Sequence, residues 1–67
     1  MSLDIKAVKR IMIKKNINNL NLAEKMKVTP GRVSKILNDN VKRYRVNTIH
    51  SLAVALEVEA DEILKED

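Results

Sequence analysis

Apolar residues recur at helical spacing along almost the whole chain, and the places where that rhythm breaks divide it into five segments. Ile5, Val8, Ile11, Met12 and Lys15 follow the first rhythm, which predicts a helix from about Asp4 to Lys15. Asp4 suits the positive end of its dipole, and Lys14 and Lys15 suit the negative end. Asn16 stands where a residue of positive φ commonly closes a helix, a conformation that Asn tolerates better than most non-glycine residues. Ile17 is then expected to fold back onto the core. Asn18 can cap a short second helix, from about Asn19 to Lys25 or Met26, with Leu20, Leu22, Ala23 and Met26 as its apolar positions. After Lys27 and Val28, the Thr29 hydroxyl can accept from the free amides of a new turn. Pro30 takes the first helical position, where its missing N–H costs nothing. Val33, Ile36 and Leu37 give this third helix a buried stripe, leaving Arg32, Lys35 and Asn38 to other faces and Ser34 turned partly inward.

Asn38, Asp39 and Asn40 end the third helix, and the polar run from Asn40 to Asn47 reads as the only sizeable loop. A fourth helix is predicted from Val46 or Asn47, with Asn47 as a cap and Ile49, Leu52, Ala53 and Leu56 as its apolar face. Val58 bridges to a last short helix over Ala60 to Leu64, where Ile63 and Leu64 complete the core. Strand-type alternation is not sustained anywhere. The stretch from Asn18 to Asn38 therefore holds two helices separated by a very short break, which is how a helix-turn-helix reads. Such a rigid pair, with its second member facing outward, is the commonest way for a small domain to put side chains into the major groove of DNA.

Composition narrows the picture. With 67 residues, one Gly, one Pro and a single aromatic, Tyr44, the chain is expected to form one domain, residues 1–67, with a dense aliphatic core. The absence of Cys excludes disulfides and thiolate metal sites, and no apolar run approaches the roughly 20 residues of a membrane span, so a cytoplasmic protein is expected. The net charge is +4, but residues 1–45 hold 12 Lys/Arg against 3 Asp/Glu, giving +9, while residues 46–67 hold 1 against 6, giving −5. That split suits one face turned to a polyanion; a solvated Lys-rich surface accounts for it about as well.

From Val8 to Leu64 the chain resembles the Cro/phage-repressor (XRE-type) helix-turn-helix domain. The likeness rests on an ordered set: Ile17, Leu22-Ala23, Val28-Thr29, Val33-Ser34-Lys35-Ile36, Ile49, Leu52-Ala53, Leu56, Val58 and the DEIL of residues 61–64. VTPGRVSKILNDN also looks like the start of a LacI-type headpiece, a module normally tied to a large sugar-binding domain. The Cro/phage-repressor resemblance implies an all-α, five-helix bundle of the lambda-repressor-like type, with the helix-turn-helix formed by its second and third helices. Three departures bear on function. The turn position usually held by Gly is Lys27, at a steric cost of roughly 1 to 2 kcal/mol if its φ is positive. The Gln that commonly starts the second helix is Asn19. The first two positions of the third helix, which often read bases, are Pro30 and Gly31, so base reading shifts to Thr29, Arg32 and Lys35 or specificity is low.

Arg32 and Lys35 lie three apart and share a face, and either can donate to guanine O6 and N7 or simply hold phosphate. Gly31 lets the backbone approach closely, or is an accident of a tolerant surface. Asn18, Asn19 and Asn38 are further candidates, though capping alone explains Asn18. Lys42, Arg43 and Arg45 surround Tyr44 where related domains contact the DNA backbone; Tyr44 either donates to a phosphate or covers the core. His50 lacks the company a metal site needs, and the acidic tail from Glu57 to Asp67 lacks the base, nucleophile or metal of an enzyme. No cofactor and no small-molecule ligand are expected.

The reading that follows is a sequence-specific binder of a double-stranded DNA operator, a small transcriptional repressor of phage, prophage or plasmid type. The resemblance implies a homodimer, paired through the fifth helix and the loop before the fourth. Two other classes stand beside it. One is a protein-interaction module, an antitoxin or anti-repressor. The other is a basic first helix lying on an anionic membrane, which conflicts with the need of so small a core for that helix's apolar face.

Overall fold

The computed structural model describes residues 2–38 and 44–65. Among these, four α-helices stand in the predicted order: α1 (Ile5–Lys15), α2 (Asn19–Met26), α3 (Pro30–Asn38) and α4 (Val46–Leu56). The caps explain why each begins and ends where it does. The Asp4 carboxylate accepts from the Ala7 amide at 3.2 Å and opens α1. Asn16, at φ 56°, closes it. Asn18 Oδ1 accepts from the Asn21 amide at 2.8 Å while Asn21 Oδ1 accepts from the Asn18 amide at 3.3 Å, so α2 opens on a reciprocal box. Thr29 Oγ1 accepts from the Arg32 amide at 3.2 Å, starting α3 with Pro30 in its first position.

Lys27 closes α2 at φ 60° and ψ 42°, the left-handed conformation that penalises a side chain with a Cβ. Lys27→Gly is therefore expected to raise stability by on the order of 1 kcal/mol, the relief being partly offset by the greater freedom of Gly in the unfolded chain. A thermal melt with no upward shift would count against strain at this turn.

Several expectations are corrected. The fifth helix is a single 3-10 turn, Ala60–Ile63, after which the chain extends as β2 (Leu64–Lys65) and pairs antiparallel with β1 (Ser2–Leu3), in the register Ser2 to Lys65 and Leu3 to Leu64. Four residues are too few to sustain an α-helix, and the pairing, extended by the Asp4 amide donating to the Ile63 carbonyl at 2.8 Å, draws the backbone out of helical geometry. Leu3 is thereby buried and joins the core. Leu20 was expected inward but is 60% exposed. It is turned about 200° around the axis from Leu22, opposite the stripe that α2 buries. α4 begins at Val46, the earlier of the two expected starts, so Arg45 rather than Asn47 holds the cap position, and its side chain makes no cap bond.

Lys15, read as part of the apolar rhythm of α1, instead reaches the end of α4, donating from Nζ to the carbonyls of Leu56 at 2.8 Å and Glu57 at 3.0 Å. A cation suits those unsatisfied carbonyls, and it ties α1 to α4 where Glu57 turns the chain at φ 59°. The core joins Val8 and Met12 of α1, Leu22 and Ala23 of α2, the Val33, Ile36 and Leu37 stripe of α3 and the inner face of α4, closed below by Ile63. No polar or charged residue is buried among those described. Every charge among the described residues is thus left outside the core.

Candidate nucleic-acid interface

Because α3 buries Val33, Ile36 and Leu37, its opposite side is fixed as the outer surface. Gly31, Lys35 and Asn38 stand along the outermost line, and Arg32 lies at its edge beside Ile36. Thr29, Gly31, Arg32 and Lys35 are all exposed. The helix is held from beneath by its apolar stripe and at its start by Thr29, so these groups project from a rigid platform.

A groove runs along each flank of α3. On one side Arg32 lines a shallow cleft of about 190 Å³ with Asn47, Thr48 and Ser51 of α4, over Ile36, Met26 and Val28. These α4 residues were not foreseen as part of the surface, since only the packing of α4 against α2, which in turn packs against α3, brings them there. On the other side an open groove of about 670 Å³ has Leu37 and Asn38 on one wall, Asn18 and Asn19 on a second and Lys9, Met12 and Ile13 of α1 on the third.

The expected site residues fall into place unevenly. Asn19 is exposed at the first position of α2, and Asn18 spends its oxygen on the cap, while its amide nitrogen keeps its donors. Asn38 Nδ2 donates to the Ser34 carbonyl at 2.8 Å and to Ser34 Oγ at 3.3 Å. Its amide hydrogens are therefore engaged within α3, and the side chain reaches the surface as an acceptor. Tyr44 is half-buried against the core. Arg45 is exposed at the start of α4, a cation at the positive end of a helix that its own side chain does not cap. Lys42 and Arg43 lie outside the described residues.

Gly31 is not required by the fold. Its φ is not positive, and a Cβ built on it would meet only Thr29 Oγ1, at 4.0 Å. Gly31→Ala should hence raise stability by about 0.5 to 1 kcal/mol, through helix propensity alone. If the backbone there lies close to DNA, the same variant should bind a duplex more weakly. Improved stability with unchanged affinity would show that the position is merely tolerant.

The sequence pattern that defines the Cro/C1-type helix-turn-helix DNA-binding domain matches residues 7–66. The chain belongs to this family. No curated protein and no solved structure matches it. In this Cro/C1-type domain, α2 and α3 form the helix-turn-helix. Among the described residues no helix is long and apolar enough to cross a membrane, and no cluster of His, Asp and Glu is arranged to hold a metal ion.

Proposed function

We propose that the chain is a single domain that binds double-stranded DNA sequence-specifically, inserting α3 into the major groove, and acts as a small transcriptional repressor of phage, prophage or plasmid type. The observation that carries this reading is the outward row of Gly31, Arg32 and Lys35 on a helix whose other side is locked into the core. A row of donors on the first two turns can reach base edges, and the bare backbone at Gly31 allows close approach. Asn19 and Arg45, at the starts of α2 and α4, bracket this row and suit phosphates on either side. Tyr44 then serves chiefly as cover for the core, and Lys42 and Arg43 add to the backbone contacts.

Repression follows from occupancy, because a domain seated on an operator excludes polymerase. One helix reads few base pairs, so two copies are needed, on half-sites about one helical turn apart. Pairing is proposed through the loop before α4 and the 3-10 turn that stands in place of a fifth helix. At the 3-10 turn Glu59, Asp61 and Glu62 are exposed, while Ile63 is turned into the core. Two such acidic turns repel across a two-fold axis, so pairing is weak in solution and is completed on DNA.

Selection of bound sites from a random duplex library tests the whole reading. An inverted repeat is the expected product. A pool without sequence preference would remove specificity and symmetry together, and would favour the protein-interaction class.

A further inference from the structure

The strongest surface feature that the helix-turn-helix does not use is the outer face of α1. Lys6, Lys9, Arg10, Ile13 and Lys14 are all exposed, and Ile13 is 81% accessible. The face bears four cations and no carboxylate, since the one nearby acid, Asp4, is engaged as the helix cap. This is not a uniformly solvated surface. Lys9 opens onto the 670 Å³ groove that also holds Asn18, Asn19 and Asn38, and none of the residues lining that groove is acidic. One stripe of α1 is therefore continuous with the amino end of α2 and the far end of α3.

We propose that Lys9 forms a second DNA-backbone contact, taking a phosphate that lies beyond the base pairs reached by α3. The inference rests on the reading of α3 as the groove-binding helix. Lys9 lines the groove, whereas Lys6, Arg10 and Lys14 belong to the same exposed face but not to the groove. Lys14 is turned about 140° from Lys9 around the axis. A rigid duplex passing the amino end of α2 meets Lys9 and misses Lys14. Phosphate, rather than a base, is the partner, because a flexible ammonium group beside the Asn18 and Asn19 amides supplies a point charge and donors without a fixed planar geometry.

Lys9 and Lys14 provide the test, since each single variant removes the same charge. Duplex affinity is measured against salt concentration for the full chain, for Lys9→Gln and for Lys14→Gln. Losing one phosphate contact should lower the slope of log K against log salt by about 1 in the first variant. The second should leave the slope within a few tenths of the parent. Equal changes in both variants would mean that only the general field of the protein acts, and no change in the first would likewise overturn the proposal. An Arg32→Ala, Lys35→Ala variant keeps this outcome separate from the reading of α3: failure of the parent to bind any duplex, or undiminished binding by that variant, overturns that reading instead. Partition of the parent onto phosphatidylserine vesicles as strong as onto duplex, and lost in Ile13→Ser, would assign the face to a membrane and refute the contact.

Discussion

Arg32→Ala is expected to weaken binding to a selected operator by about 1 to 3 kcal/mol, roughly 5- to 150-fold, while leaving binding to random duplex nearly unchanged. The expectation follows from where α3 holds the side chain. The Arg32 amide is tied to Thr29 Oγ1 at 3.2 Å and to the Thr29 carbonyl at 3.0 Å, so the base of the side chain is anchored in the first turn. Outward, the residue lies at the edge of the exposed row, against Asn47, Thr48 and Ser51. A guanidinium fixed there can present its paired donors to guanine O6 and N7, a geometry that a lysine cannot reproduce. Arg32→Lys should thus recover little of the loss. Equal loss on operator and random duplex would instead place Arg32 on phosphate, and would leave Lys35 and Thr29 as the base readers. No change on either would remove Arg32 from the interface.

The second large effect is structural. Ile36→Ala should destabilise the fold by about 2 to 5 kcal/mol, because the side chain is 1% exposed and packs beneath the outer side of α3. A domain of this size has a total stability of only about 3 to 10 kcal/mol, so the variant is expected to melt near or below ambient temperature. Ile36 also lines the cleft beside Arg32. DNA should therefore rescue part of the loss by binding the folded state, which a melt with and without operator would show. Ile36→Val removes one methylene and should cost only about 0.5 to 1.5 kcal/mol, retaining the fold for binding measurements. A cooperative melt of Ile36→Ala unchanged from the parent would contradict the placement of α3 on the core.

The two effects differ in kind, and that difference bears on what can be read where. Ile36 belongs to a pattern that repeats every three or four residues, so its burial is visible in the chain itself. The role of Arg32 depends on what stands beside it. Asn47, Thr48 and Ser51 are distant in sequence and were read only as the start of a helix. Lys9 shows the same limit: in sequence it is one of several cations on α1, and only the groove shared with Asn18, Asn19 and Asn38 sets it apart from Lys14.

The sequence by itself determined the four α-helices, the helix-turn-helix and most of the core, because spacing, capping and the left-handed stops at Asn16 and Lys27 act over four residues or fewer. The same local rules misplaced Leu20 and Asn47, where a short helix offers two plausible faces or two plausible starts. Tertiary structure alone decided the rest. The chain end became a 3-10 turn and a strand because β1 was there to pair with it, across more than sixty residues. Lys15 became a clamp because the last carbonyls of α4 lie within reach of its ammonium group, 41 residues away. Long-range hydrogen bonds and shared grooves arise only when separate elements have packed, and periodicity carries no information about which surfaces will then be neighbours.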